Sequence, residues 1–113
     1  MRRAAWVAPL ALLLPMAPAP LFAQDGRALF LDARAGRCAH CHQVPADPAV
    51  KSQSTIGPPL AGMKARYETL EALDAAIGDL EKIKPGTFMP PYRRHRLLTD
   101  AEIAAIARYV WTL

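Results

Sequence analysis

Apolar residues recur at helical spacing in three stretches of the chain. These patterns cover residues 25–35, 67–80 and about 99–111. Thr69 and Thr99 stand at the N-cap positions of the second and third stretches, and the residues after Thr99 complete a capping box. No stretch shows the period of two that is typical of a half-buried strand. The pattern predicts an all-α domain of three to four short helices.

The segments between these stretches are irregular. Residues 43–59 are rich in proline, serine and glycine and keep no sustained period, which is typical of a loop. Residues 84–86 contain a proline and a glycine that end the second helical pattern. Residues 88–92 contain two further prolines, which remove backbone donors and favour extended geometry before them. The sequence therefore predicts an extended, proline-stiffened loop before the last helix.

The N-terminus has the pattern of a signal peptide. Two arginines precede an apolar run, residues 4–14, that is too short to span a bilayer as an anchor. A cleavage site before Gln24 fits the residues that surround it. We predict that residues 1–23 are a signal peptide, that residues 24–113 are one mature domain without a membrane span, and that the chain is secreted to the periplasm.

The charged residues do not indicate a nucleic-acid ligand. The chain has 113 residues and a formal net charge of +4, and cleavage would remove two arginines, leaving 12 basic and 10 acidic residues. It has no basic stripe with interleaved aromatic residues. Arg93, Arg94, His95 and Arg96 form one basic run. A solvated loop that pairs with cofactor carboxylates and a docking patch for a partner are both consistent with this run.

The most informative motif is Cys38-Ala39-His40-Cys41-His42, which reads Cys-x-x-Cys-His. Two thiols at i and i+3 on one helical turn can reach both vinyl groups of a porphyrin, and the next histidine supplies the proximal nitrogen to the iron. The motif predicts one covalent haem c, held by Cys38 and Cys41, with His42 as an axial ligand. An apolar macrocycle would also enlarge the small core of a chain of this length.

A zinc site and a redox dithiol are the alternative uses of these cysteines. A zinc site would need two more ligands at finger-like spacing, which His40 and His95 do not provide. A thioredoxin-like dithiol would sit beside a strand–helix–strand pattern, which is absent from the sequence. Because His40 lies between the two cysteines, its ring is expected to point outward.

The second axial ligand decides what the iron can do. Two methionines remain after the predicted cleavage, Met63 and Met89. We predict Met89 as the ligand because it stands in the extended loop, whereas Met63 begins a predicted helical segment where packing is the ordinary role of methionine. Histidine–methionine ligation raises the reduction potential and leaves no free iron site. It favours electron transfer or a structural haem, so no catalytic residue is predicted.

The general layout resembles that of class I cytochromes c. Gly26-x-x-x-Phe30 precedes the haem motif, as in the N-terminal helix of that family, and Tyr109 matches the aromatic residue of the C-terminal helix that crosses it. Gly57-Pro58 matches the loop whose proline carbonyl holds the other ring nitrogen of the proximal histidine. The resemblance implies the class I fold, with the helices packed around one haem.

Two longer stretches, residues 56–67 and 89–99, and the terminal residues 109–113 are similar to the SoxX family. These are small monohaem cytochrome subunits of the SoxAX complex in bacterial thiosulfate oxidation. The resemblance covers nearly all of the predicted mature chain. The family usually has Phe where Tyr92 stands and Gly where Arg93 stands.

This resemblance implies Cys38 and Cys41 as the haem attachment points, His42 as the proximal ligand and Met89 as the distal ligand. It also implies a heterodimer with a SoxA-type subunit, which joins thiosulfate to a cysteine of the SoxYZ carrier protein and passes electrons to a downstream acceptor. Because thioethers use both cysteines of this chain, the nucleophilic sulfur must belong to the partner, and this subunit relays electrons or stabilises the complex. A free periplasmic electron carrier is the alternative, and a five-coordinate haem enzyme or gas sensor is a third.

Overall fold

The computed structural model describes residues 25–113, so the predicted signal peptide and its cleavage site before Gln24 lie outside the described residues. The described part contains helices and no strand, which confirms the all-α class. Two of the described helices, Cys38–Cys41 and Met63–Arg66, are single turns. They come in addition to the three longer helices that the periodicity predicts. The elements are α1 (Gly26–Leu31), α2 (Cys38–Cys41), α3 (Met63–Arg66), α4 (Leu70–Gly78), a 3-10 turn (Leu80–Lys82) and α5 (Asp100–Trp111).

The first helix is shorter than its apolar pattern predicts. Asp25 caps its N-terminus, since its Oδ1 accepts hydrogen bonds from the backbone N–H groups of Arg27 at 3.0 Å and Ala28 at 3.2 Å. The helix ends at Leu31, whereas the apolar pattern predicts that it continues to residue 35. The predicted end is therefore wrong. The reason is Asp32, which is extended at ψ 113° and whose side chain accepts a hydrogen bond from the Arg34 N–H at 2.8 Å. Such a local turn competes with the helical ladder.

Helices α1 and α5 cross at very short range. Gly26 lies directly on the backbone of Ala105, so that a Cβ at Gly26 would overlap the Ala105 carbonyl. One turn further along, the rings of Phe30 and Tyr109 pack edge to face, with centroids 5.3 Å apart and planes at 66°. This contact confirms the crossing that Gly26-x-x-x-Phe30 and Tyr109 predict.

Helices α4 and α5 have the N-caps that the sequence predicts. The Thr69 hydroxyl accepts a hydrogen bond from the Ala72 N–H at 3.0 Å. Thr99 and Glu102 form a reciprocal capping box with hydrogen bonds of 2.8 and 3.2 Å. Among residues 25–113, no helix combines the length and apolar character needed to cross a bilayer. The two helices bury apolar stripes against each other and the rest of the core, made of Leu73, Ala76 and Ile77 on α4 and of Ile103, Ile106, Ala107 and Val110 on α5.

The basic run after the proline-rich loop is partly tied to the protein itself. The Arg93 guanidinium bridges Asp74 on α4 at 2.8 Å and Asp100 at the start of α5 at 2.7 Å. Arg94 makes a bidentate pair with Asp79, at 2.9 and 3.1 Å. These two arginines therefore anchor the loop on the helices, and this is a role that the sequence pattern did not predict.

A buried carboxylate ties the loop after α2 to α1 and α5. Asp47, only 8% exposed, accepts hydrogen bonds from Arg27 at 2.7 and 2.9 Å and from the Tyr109 hydroxyl at 2.7 Å. The Ala49 N–H adds a fourth at 3.0 Å. These donors stabilise the charged form, and the hydrogen bonds from Arg27 in particular hold the pKa of Asp47 well below its usual range.

Candidate haem-binding site

An apolar cleft lies between the helices and the proline-rich loops. It has a volume of about 560 Å³, which includes the open space at its mouth. Its walls come from α1, from the loop before α3, and from the inner faces of α4 and α5. The apolar side chains that line it include Phe30, Leu60, Leu73, Ile77, Ile106 and Val110.

The haem motif forms the single turn α2 at the edge of this cleft. Cys38 and Cys41 are its first and last residues, so both thiols belong to one helical turn. Cys38 is buried and lines the cleft, and Cys41 is half-buried. His42 follows in extended conformation and lines the same cleft. The turn begins after Arg37, whose φ of 55° is unusual for a residue with a side chain.

The His42 ring is held from one side by the loop that contains Gly57 and Pro58. Its Nδ1 lies 2.8 Å from the carbonyl oxygen of Pro58. Because a carbonyl only accepts, Nδ1 carries the proton and Nε2 keeps a free lone pair for a metal. Gly57 lies against the ring, so that a Cβ there would come within 2.5–3.0 Å of three ring atoms. The Gly57 N–H also donates to the Cys41 carbonyl at 2.9 Å.

Both candidate methionines line the cleft, but their surroundings differ. Met63 begins α3 and is 2% exposed, and its sulfur accepts a hydrogen bond from the Arg66 guanidinium at 3.4 Å. Met89 is half-buried in the irregular loop, as its prolines predict. The Thr87 hydroxyl accepts a hydrogen bond from the Met89 N–H at 3.2 Å. The structure thus brings Cys38, His42, Met63 and Met89 to one cleft.

The surroundings of the cysteines do not favour a redox dithiol or a zinc site. Burial raises the pKa of the Cys38 thiol to about 11, whereas reactive dithiols depend on a stabilised thiolate. Within residues 25–113, no three side chains of His, Cys, Asp or Glu come together as a metal site. His40 is exposed, as its position between the cysteines predicts.

Three residues lie at or near the cleft although the sequence predicted no role there for them. Arg66 and Tyr67 line the cleft, and Arg66 also donates a hydrogen bond to the Pro59 carbonyl at 3.1 Å. Tyr92 is buried, and its hydroxyl donates a hydrogen bond to the carbonyl of Gly36. All three belong to stretches that the SoxX resemblance quotes, but no local spacing indicates which contacts they make.

Comparison with known families decides the class of protein. The model of the cytochrome c family matches residues 23–113. The chain belongs to the cytochrome c family. This confirms the class I cytochrome c fold and the covalent haem c that the sequence predicts. None of the curated proteins matches the chain significantly.

The cleft of this cytochrome fits the group that its family carries. Its walls are apolar, two thiols stand on one turn at its edge, and the His42 ring has one nitrogen free. When bound, the haem iron alternates between the ferric and ferrous states and supplies one-electron redox chemistry. The chain's own residues give the cleft an apolar lining, orient the imidazole and keep its Nδ1 protonated. The protein is therefore an electron-transfer haem protein.

Proposed function

We propose that Cys38 and Cys41 form the two thioethers and that His42 and Met89 are the axial ligands of the iron. The supporting observation for His42 is its hydrogen bond to the Pro58 carbonyl at 2.8 Å, which frees Nε2. We assign the Pro58 carbonyl the role of fixing the imidazole plane and raising its basicity.

The surroundings of the two methionine sulfur atoms favour Met89 over Met63 as the iron ligand. The Met63 sulfur is buried among core residues and already accepts the Arg66 hydrogen bond at 3.4 Å. Met89 lines the same cleft from an irregular segment, and the two prolines that follow it stiffen the backbone there. Ligation by Met63 would require its sulfur to give up the Arg66 hydrogen bond, whereas no hydrogen bond within residues 25–113 reaches the Met89 sulfur.

We further propose that this cytochrome is the SoxX-type subunit of a SoxAX-like complex in the periplasm. In that role, residues 1–23 are removed as a signal peptide and a SoxA-type subunit binds residues 24–113. The partner oxidatively conjugates thiosulfate to the cysteine of a SoxYZ-type carrier, and this subunit relays the released electrons to a downstream acceptor. Since both of its cysteines belong to thioethers, the chain supplies no nucleophilic sulfur.

An exposed apolar pair beside Met89 supports a partner subunit rather than a free carrier. Phe88 is 91% exposed and Ile83 is 61% exposed. The Thr87 N–H donates to the Lys84 carbonyl at 3.3 Å, so residues 84–87 form a tight turn. Ile83 and Phe88 flank this turn on its two sides. An exposed phenylalanine forgoes roughly 1.5–3 kcal/mol of burial, which a bound protein would restore.

The charge beside this pair indicates the chemistry of the partner. Lys84 lies within the turn and is exposed. Lys82, just before the turn, pairs with Asp79 at 3.9 Å, and the Glu81 carboxylate accepts a hydrogen bond from the Gly86 N–H, so Lys84 is the cation of the turn without such a partner among the described residues. We therefore assign the Ile83–Phe88 turn to an apolar contact on the SoxA-type subunit, with an acidic residue opposite Lys84.

Co-expression with a SoxA-type subunit tests the proposal. The mature cytochrome is expected to elute from size exclusion as a stable heterodimer with that partner. A Phe88→Ser variant is expected to bind roughly 10-fold or more weakly, as a central aromatic anchor does. Leu97→Ser is the matched control, because Leu97 is 53% exposed but lies outside the turn.

Three results would count against this function. A cytochrome that elutes alone while it exchanges electrons with other redox proteins would favour the free periplasmic carrier. Equal effects of Phe88→Ser and Leu97→Ser would remove the turn from the interface. Ready binding of carbon monoxide by the reduced protein at neutral pH would favour the five-coordinate enzyme or sensor.

A further inference from the structure

Tyr92 connects two distant parts of the haem site. Its ring is 6% exposed, and its hydroxyl donates a hydrogen bond to the carbonyl oxygen of Gly36, 56 residues earlier in the chain. Tyr92 follows the proline pair after Met89, and Gly36 stands just before the turn that begins at Cys38. One hydroxyl therefore joins the Met89 loop, residues 87–98, to the haem-attachment segment, residues 36–42.

The acceptor side of this bridge is tightly packed. Gly36 is buried, and a Cβ at its position would lie 3.0 Å from the Cys38 sulfur, 3.3 Å from Leu98 and 3.8 Å from the Tyr92 ring. Water has little room to replace the hydroxyl in such a place. A buried carbonyl that loses its donor is costly, so the Tyr92 hydroxyl favours the closed arrangement strongly.

Other contacts hold the Met89 loop to different elements. The Arg93 N–H donates to the Gly78 carbonyl at 2.8 Å, and its side chain pairs with Asp74 and Asp100, so these bonds lead to α4 and α5. Within the described residues 25–113, the Tyr92–Gly36 bond is the one hydrogen bond that joins residues 87–98 to residues 36–42. This bond is therefore the polar link between the two segments, and it adds to the packing of Tyr92 and Leu98 around Gly36.

We propose that Tyr92 is a positioning residue that holds the Met89 loop against the haem-attachment segment and so slows the departure of Met89 from the iron. The inference rests on the proposed ligation by Met89. The Tyr92 ring fills the core, and its hydroxyl sets how often the loop opens.

The test uses the oxidised holoprotein and the rate at which added cyanide binds. Cyanide must wait for the thioether to leave the iron, so this rate reports the opening of the Met89 loop. Tyr92→Phe keeps the ring and removes the hydroxyl. We expect cyanide to bind roughly fivefold faster or more, the factor that corresponds to the usual net contribution of one hydrogen bond.

Tyr109→Phe is the matched control. It also removes one hydroxyl from a hydrogen bond, the one to Asp47 at 2.7 Å, but that bond ties α5 to the loop after α2. We expect this variant to lower the unfolding temperature without changing the rate of cyanide binding. Equal acceleration in both variants, or none in Tyr92→Phe, would overturn the proposal.

A third variant separates this proposal from the assignment of the ligand. If Met89→Ala changes the oxidised haem spectrum while Tyr92→Phe binds cyanide at the wild-type rate, Met89 is the ligand and the role of Tyr92 is refuted. If Met89→Ala leaves the spectrum unchanged, both assignments fail together.

Discussion

At the scale of single residues, the contact between Gly57 and His42 has the most direct consequence for the iron. The absence of a side chain at Gly57 lets the loop lie on the imidazole, and the neighbouring Pro58 carbonyl accepts the hydrogen bond that the Nδ1–H donates. The orientation of the ring is therefore decided by two residues of one loop, which the Gly57 N–H also ties to the Cys41 carbonyl at 2.9 Å.

Gly57→Ala is expected to tilt the imidazole, because its methyl would come within 2.5–3.0 Å of three ring atoms. We expect a changed midpoint potential and a loss of stability of about 1–3 kcal/mol, as for other overpacked sites. Potentiometric titration of the holoprotein measures the first effect. Gly62→Ala is the control for the potential, since nothing lies within 4 Å of a Cβ there; its φ of 61° strains a side chain, so this variant also loses stability and only the potentials are compared. An equal shift in potential in both variants would contradict the account.

Asp47 predicts a defined pH dependence of stability. Its pKa is lowered in the folded protein, chiefly by the Arg27 hydrogen bonds, so its contribution is complete above the unfolded value of about 3.9 and declines as the pH falls towards the folded value. Asp47→Asn is therefore expected to be clearly less stable than wild type at pH 7, with a smaller difference at pH 3. Thermal unfolding at both values measures this, and a difference that does not change with pH would refute it.

Two residues mark the limit of prediction from sequence at this scale. Tyr92 and Arg93 both depart from the SoxX pattern, and neither departure affects a predicted ligand. In the structure both make contacts, Tyr92 with Gly36 and Arg93 with Asp74 and Asp100. Gly36 lies 56 residues from Tyr92, and Asp74 lies 19 residues from Arg93, so only the tertiary fold reveals these contacts.

At the scale of elements, the helices were predictable wherever local signals agreed. Helix α5 begins after Thr99 and ends at Trp111 as its capping box and apolar stripe predict, and α4 begins after Thr69. Helix α1 ends earlier than its apolar pattern, because the Asp32 turn is a polar side-chain effect that periodicity does not register. The turns α2 and α3 are too short to produce a periodic pattern.

The crossing of α1 and α5 yields a prediction at this scale. Gly26→Ala would make a methyl group overlap the Ala105 carbonyl. Relief of this overlap would require α1 and α5 to move apart, which would disrupt their packing. We expect a loss of about 3 kcal/mol or more, at the upper end of overpacking effects, measured by denaturant unfolding of the holoprotein. Ala28→Ser, at an exposed position of the same helix, should change stability by about 0.5 kcal/mol or less. Similar values for the two variants would contradict the close crossing.

At the scale of the whole molecule, the cleft that fits the haem is lined by side chains of the hydrophobic core. The cleft of about 560 Å³ receives side chains from α1, α4 and α5, so these helices meet around it. A domain of this size has little apolar core to spare. The sequence predicted this dependence from chain length and the haem motif, but the walls of the cleft could be assigned only from the fold.

Removal of covalent haem is therefore expected to unfold the domain. The double variant Cys38→Ser with Cys41→Ser should lose most of the roughly 5–10 kcal/mol of stability that a domain of this size has. Far-ultraviolet circular dichroism with a thermal scan measures this. A cooperative transition close to that of the holoprotein would show that the helices pack without the cofactor.

The central claim is that Met89 closes the second axial position of the iron. The most direct measurement compares the sulfur-to-iron charge-transfer band of the oxidised holoprotein in wild type, Met89→Ala and Met63→Ala. The account predicts that the band disappears in Met89→Ala, with a lower midpoint potential, and persists in Met63→Ala. A band that survives in Met89→Ala, or is lost only in Met63→Ala, would contradict it.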